Sequence, residues 1–253
     1  MTYLRSRNFL LDVSMGLVPG HSIVNKFGAN ATADTGHDLW TGGGVYGFYP
    51  TTAQSMELVS DDPDDDDGDT GARTVLVHGL DGSWDVVSET VTLNGVGAVN
   101  LTEHTYLRVF RMIVMSAGSS KTNEGTISCQ IQTGGTVAAE IAAGAGQTQM
   151  AIYTTPNGKT GYFLKGYVGV ADDDKAGESA LFQWKMRLND TADGAWAIKG
   201  EMGLNTLASS WWQYEYGAAV GPIPEKTDIR IMTKTMTAVM GVVGGFDLLL
   251  VDD

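Results

Sequence analysis

Short apolar segments that alternate with turn residues make up most of the chain. In the clearest of them, Phe182, Trp184 and Met186 alternate with Gln183 and Lys185. A period of two is typical of a strand with one buried face and one solvated face. Helical spacing is hard to find, and such segments recur at intervals of about 8–15 residues. The pattern predicts an all-β protein with a β-sandwich, jelly-roll-like body.

Composition divides the 253 residues into three predicted parts. Residues 1–27 form an N-terminal arm, which is mildly basic although the rest of the chain is acidic. Residues 28–53 are rich in Gly, Asp and Thr, which is typical of a linker or loop. Residues 54–253 carry the strand-like segments and form the predicted β-sandwich body.

The arm contains a regular apolar alternation at Phe9, Leu11, Val13, Met15 and Leu17. This spacing predicts an extended strand with one apolar face, ended by Pro19 and Gly20. Because Asp12 interrupts the apolar stretch, a strand is favoured over a signal peptide. Such an arm could add to a neighbouring subunit or lie along a shell, and it could equally fold back onto its own domain.

The formal net charge is −14, from 16 Lys and Arg against 30 Asp and Glu. An acidic surface repels phosphate backbones and anionic headgroups, so neither nucleic acid nor a membrane surface is an expected partner. No apolar run approaches the roughly 18–20 residues that a membrane-spanning helix needs.

The strongest local anomaly is an acidic segment, Asp61–Asp69, which also contains Pro63 and Gly68. Its spacing does not match an EF-hand, because Pro63 would occupy the first ligand position. A solvated tip is therefore favoured, with a looser calcium site left open. The candidate ligands for that site are Asp64, Asp65, Asp67 and Asp69.

Motifs that carry catalysis are missing from the sequence. The four histidines are scattered, and neither a nucleophile elbow nor a phosphate-binding loop occurs. Cys129 lies in a predicted strand and is interpreted as a small core residue. The sequence therefore predicts no catalytic residues, no metal site, no cofactor and no enzymatic activity.

An aromatic cluster near the C-terminus is the other candidate binding feature. It consists of Trp211, Trp212, Tyr214 and Tyr216. In a strand, the last three would share one face and Trp211 would lie on the other. Large aromatic side chains are enriched at interfaces and also stack on sugars, so a subunit interface, a domain core and a host glycan site are all open.

Several turn-and-strand segments resemble a family of virion structural proteins from tailed bacteriophages, especially marine ones. These segments are Asn8–Val13, Gly71–Val75, Gly79–Asp81, Glu89–Gly95, Tyr106–Arg108, Ser116–Ser119, Gly146–Thr154, Gly158–Tyr162 and Pro224–Ile229. The resemblance implies a component of the virion and carries over no functional residue. The acidic segment departs from the small polar loop expected there.

Three functions follow as expectations. The first is a capsid-associated subunit, such as a decoration, vertex or head-fibre protein. It would form a homo-oligomer, a trimer or pentamer, and contact other particle proteins. The second is a tail-associated adaptor or receptor-binding protein that contacts host glycan. The third, less favoured, is a β-sandwich carbohydrate-active enzyme, which would need two carboxylates facing each other across a groove.

Overall fold

The computed structural model describes residues 8–171, 177–189, 194–207 and 211–253. Within these ranges one short helix precedes fifteen β-strands, which confirms the all-β prediction. The helix is α1 (Phe9–Ser14), and the strands are β1 (His21–Ala33), β2 (Met56–Ser60), β3 (Ala72–Leu80), β4 (Val86–Thr92), β5 (Val99–Asn100), β6 (Arg108–Ala117), β7 (Ile127–Ile131), β8 (Val137–Ile141), β9 (Ile152–Thr154), β10 (Lys159–Ala171), β11 (Ser179–Leu188), β12 (Ala197–Asn205), β13 (Trp211–Ile223), β14 (Thr227–Met236) and β15 (Met240–Asp252).

Four small antiparallel sheets form two halves, each with its own hydrophobic core. The first half combines the sheet β1-β15-β10-β13 with the sheet β12-β11-β14-β9. The second half combines the sheet β5-β2-β7-β8 with the sheet β4-β3-β6. Along the chain, the second half is therefore inserted between β1 and β9 of the first.

Strand β11 shows how the alternating pattern builds the first core. Phe182, Trp184 and Met186 are buried in it, as the period of two predicts. On the opposite face Lys185 is partly exposed, whereas Gln183 is fully buried. The amide nitrogen of Gln183 donates a hydrogen bond to the carboxylate of Glu201 on the neighbouring strand β12, which gives this buried polar group a partner.

The predicted strand from Phe9 to Leu17 is wrong, because Phe9–Ser14 forms the helix α1. The side chain of Asn8 caps this helix by accepting a hydrogen bond from the backbone N–H of Leu11 at 3.3 Å. Gly16, with φ of 70°, then ends the helix, as glycines in the left-handed region commonly do. These local capping signals outweigh the period-two pattern of the apolar residues.

The rest of the predicted arm folds back onto its own chain. Strand β1 pairs with β15 from His21, opposite Val251, to Ala33, opposite Met240. It also crosses residue 27, where the sequence placed the boundary between arm and linker.

The segment predicted as a linker or loop contains buried apolar residues. Leu39 lies in the core of the first half, while Trp40, Tyr46 and Phe48 lie in the core of the second. This Gly-rich segment therefore contributes side chains to the cores of both halves.

Asp38 holds this connecting segment in place through one carboxylate oxygen. Its Oδ2 accepts hydrogen bonds from Nη1 of Arg230 at 2.9 Å and from the backbone N–H of Tyr46 at 2.8 Å. Asp38 is fully buried, and burial raises its pKa to about 6 although the charge of Arg230 opposes the shift.

A second buried carboxylate joins the two halves directly. Asp228 of β14 accepts a bidentate pair of hydrogen bonds from Arg108 of β6, at 2.9 and 3.0 Å. Arg187 and Thr154 each donate a further hydrogen bond at 2.6 Å. Burial disfavours ionisation of Asp228, but these hydrogen bonds and the charge of Arg108 outweigh it, so the pKa of Asp228 lies below its ordinary value.

The prediction of a solvated acidic tip is wrong for Asp65, which is fully buried. Its carboxylate accepts hydrogen bonds from the hydroxyl of Ser60 at 2.6 Å and from three backbone N–H groups. Those donors are Ala72 at 2.7 Å, Glu124 at 2.9 Å and Gly125 at 3.0 Å. Neighbouring carboxylates such as Asp64 and Asp67 are exposed, as predicted. Hydrogen-bond donors from the nearby Ser60 and Ala72 and from the distant loop at Glu124 and Gly125 compensate the one buried charge.

Candidate functional site

An apolar groove of about 540 Å³ opens between the edge strands β12 and β13 of the first half. One wall carries Phe163 and Trp212, and the facing wall carries Trp184 and Met186. We call this cavity the aromatic groove. Its concave, largely apolar lining with a few polar groups is the general form of a ligand site.

The rings in and beside the groove are held by contacts with one another. Trp212 packs edge-on against Trp184, with ring centroids 5.6 Å apart, and stacks on Tyr214 at 6.0 Å with an angle of 8° between the planes. Trp211 instead stacks on Tyr167 at 5.3 Å. Trp211 begins the strand β13, so the alternation considered for a strand applies, with Trp211 on the face opposite to Trp212 and Tyr214. The side chain of Tyr216 lies outside the described residues.

Polar groups of both signs border the groove. Lys199 and Glu201 of β12 line it together with Thr227. Aromatic faces beside hydrogen-bonding groups can stack on a sugar ring and bind its hydroxyls, or can accept an apolar segment of a protein. Among the described lining residues, Glu201 is the only carboxylate.

Sequence reasoning identified the cluster on β13 but missed Trp184 as part of the same site. Trp184 was assigned only to the buried face of its own strand. Its contact with Trp212 depends on how the two facing sheets pack, and no short-range pattern reports that packing.

The second candidate surface lies at the N-terminus. Phe9, Leu11, Met15 and Leu17 are 49%, 48%, 62% and 57% exposed, respectively. We call these four residues the apolar N-terminal surface. Val13, which was grouped with them, is buried against its own chain and so does not belong to an exposed face. The ring of Phe9 packs edge-on against His21 at 5.6 Å, which places α1 beside the start of β1.

Cys129 is a buried core residue, as predicted, and burial raises the pKa of its thiol. Among the described residues, no three His, Cys, Asp or Glu side chains form a group that could hold a metal ion. Within the same ranges, no helix is long and apolar enough to cross a membrane.

Comparisons with known proteins leave the chain without an assigned family. No protein-family model matches it, and no curated protein matches it. Among solved structures, it is similar to the T=1 particles derived from infectious bursal virus, with 10% identity and a TM-score of 0.23 over 92% of this chain and 74% of that chain. It is also similar to the VP2 subviral particle of infectious bursal disease virus, with 10% identity and a TM-score of 0.14 over 92% and 72% of the two chains. TM-scores this low do not assign a shared fold.

Proposed function

We propose that the chain is a non-enzymatic structural protein of a virus particle, which assembles with copies of itself through the apolar N-terminal surface. The observation that carries this proposal is the exposure of Phe9, Leu11, Met15 and Leu17 on one short segment. Scattered exposed apolar residues are normal, but a cluster of large ones marks an interaction surface.

The occupant that fits best is a second copy of this chain. Phe9 contacts His21, so the surface lies next to the first residue of the edge strand β1. Burying one such side chain contributes roughly 1.5–3 kcal/mol, so four of them can hold a repeated subunit contact. The sequence resemblance to phage virion proteins, whose copies assemble into particles, supports the same occupant.

The finer proposal is a capsid-associated decoration, vertex or head-fibre subunit that forms a trimer or pentamer and contacts other particle proteins. Only the sequence resemblance supports this level of detail. The all-β fold and the exposed N-terminal surface are compatible with each of these positions.

The test compares oligomeric state by light scattering after size exclusion. The triple variant Leu11→Ser, Met15→Ser, Leu17→Ser removes three of the four side chains of the apolar N-terminal surface. The matched control is Val45→Ser with Val96→Ser, since these valines are 66% and 62% exposed elsewhere. We expect oligomers for the wild type and the control and monomers for the triple variant, with equal melting temperatures. A monomeric wild type, or an oligomeric triple variant, overturns the proposal.

A second candidate function is host-glycan binding by a tail-associated adaptor or receptor-binding protein. The aromatic groove supports it, because Trp184 and Trp212 line a cavity large enough for a sugar, and Tyr214 stacks on Trp212 beside it. The test is a glycan array probed with Trp212→Ala and with Trp211→Ala, whose ring lies on the other face. Binding lost only in Trp212→Ala supports this function, whereas no binding by the wild type rejects it.

An enzymatic function has less support. Glycoside hydrolysis generally uses two carboxylates, and the described lining of the aromatic groove supplies only Glu201. Turnover of a polysaccharide that Glu201→Gln abolishes would overturn the non-enzymatic proposal.

A further inference from the structure

A basic cleft of about 620 Å³ lies at the opposite edge of the sheet from the aromatic groove, where β1 meets β3 and β6. Its lining includes Lys26, His78, Arg111 and Lys159. Among the described lining residues there is no Asp or Glu. In a protein with 30 acidic residues, all the ionisable side chains of Lys, Arg, His, Asp and Glu type that line this cleft are therefore basic.

Lys26 and Arg111 lack an acidic partner within the described part of the chain. Lys26 is 1% exposed, and its Nζ donates a hydrogen bond to the carbonyl of Phe110. Arg111 donates to the carbonyl of Asn25. Neither forms an ion pair with a described carboxylate, whereas Lys159 at the same cleft pairs with Asp252. Backbone carbonyls accept the hydrogen bonds but do not balance the two charges.

The basic groups of the cleft also repel one another. Burial, followed by the charge of Arg111, lowers the pKa of Lys26 well below its ordinary value. Burial lowers the pKa of His78 as well, with further contributions from Arg111 and Lys26. An anion between these groups would remove both the repulsion and part of the cost of desolvation.

We propose that this cleft binds a small organic anion, whose carboxylate, sulfate or phosphate group pairs with Lys26 and Arg111. The apolar part of the ligand would lie against Phe110 and Ile23, which also line the cleft. Arginine forms bidentate hydrogen bonds with such oxyanions, and the buried ammonium of Lys26 supplies a second charge-assisted donor. The proposal is independent of the virion function and of the aromatic groove.

The test measures melting temperature and calorimetric binding with inorganic phosphate and with benzoate, against sodium chloride at equal ionic strength. We expect a rise in melting temperature with either probe beyond that with chloride. Lys26→Met keeps the length of the side chain without its charge, and Arg111→Gln removes the guanidinium; each should lower affinity at least tenfold. Lys234→Met, at an exposed position that lines neither cavity, is the matched control and should bind like the wild type.

Two further outcomes keep the proposal falsifiable. Because Lys26→Met removes an unbalanced buried charge, it should melt at a higher temperature than the wild type in anion-free buffer, and Arg111→Gln tests the site if Lys26→Met does not fold. Equal responses of the wild type and both variants to phosphate and benzoate would overturn the proposal. So would a changed oligomeric state in Lys26→Met with an unchanged response to both probes, because another subunit would then fill the cleft.

Discussion

Two groups of buried charged side chains lie where the halves of the molecule meet, and they differ in whether each charge has a partner of opposite sign. Around Asp228, two arginines and a threonine hydroxyl donate hydrogen bonds to one carboxylate, so both arginines have a partner of opposite charge. Around Lys26, Arg111 adds a like charge, and the described lining adds no carboxylate. The difference indicates that the first group is structural, whereas the second is suited to receive an anion from outside.

The largest loss of stability is expected from removing the carboxylate of Asp228. Asp228→Ala leaves Arg108 and Arg187 without their shared partner, and Arg108 is nearly fully buried. Breaking such a buried pair costs about 3–5 kcal/mol. Denaturant unfolding should show a free energy of unfolding lower by that amount. A loss under 1 kcal/mol would show that the group around Asp228 does not hold the halves together.

Asp65 is a second buried carboxylate that can be compared with Asp228, because hydrogen bonds rather than a cation compensate its charge. Asp65→Ala leaves the backbone N–H groups of Ala72, Glu124 and Gly125 without their acceptor. Each unsatisfied buried donor costs about 1–3 kcal/mol, so we expect a loss of about 3 kcal/mol or more. The control Asp67→Ala, at an exposed position in the same acidic segment, should change stability by less than about 0.5 kcal/mol. Equal effects of the two substitutions would restore the interpretation of a solvated tip.

Asp228 and Asp65 also show which features of the fold can be predicted from the sequence and which cannot. The alternation in β11 was predictable, because a period of two is a local property of the chain. The partners of Asp228 and Asp65 were not, since Arg108 is 120 residues from Asp228 and the N–H of Gly125 is 60 residues from Asp65. The composition of the acidic segment correctly predicted that most of its carboxylates contact solvent, but it gave the wrong prediction for Asp65, which is buried.

The candidate sites also contain some features that the local sequence predicts and others that depend on the packing of distant segments. The aromatic residues of β13 could be found from their clustering, but Trp184 and the convergence of Lys26 with Arg111 depend on how separate sheets pack. The N-terminal helix was missed for a different reason. Its local signals are the capping residue Asn8 and the glycine at position 16, which adopts a positive φ. The apolar alternation across the same residues is the more conspicuous pattern, and it predicts a strand instead.

Asp38 is intermediate between Asp228, which has two arginine partners, and Lys26, which has no acidic partner. The pH dependence of the stability that Asp38 contributes tests how well Arg230 balances its charge. Its pKa is raised from 3.8 to about 6, mainly by burial, so protonation is favoured in the folded state. The stability contribution of Asp38 is therefore complete below pH 4 and is lost as the pH rises through 6, by up to about 3 kcal/mol.

We expect this pH dependence to appear in the difference between the wild type and Asp38→Asn, which cannot titrate. The free energy of unfolding of the wild type, measured by denaturant titration between pH 4 and pH 7, should fall relative to that of the variant as the pH rises. A constant difference across this range would mean that Arg230 balances Asp38 as fully as Arg108 and Arg187 balance Asp228.

The smallest effect is expected at the exposed pair of Lys159 and Asp252, which have the same charges as the buried pairs without the burial. Their side chains are 33% and 54% exposed. Water and salt screen such a pair, and ordering two long side chains costs entropy, so exposed ion pairs contribute about 0–1 kcal/mol. Asp252→Asn should therefore lower the free energy of unfolding by less than 1 kcal/mol, and the loss should shrink at high salt. A salt-independent loss as large as that of Asp228→Ala would show that burial is not what separates the two groups. The argument for an external anion at Lys26 would then lose its physical basis, because an exposed carboxylate such as Asp252 at the rim would already balance the cleft.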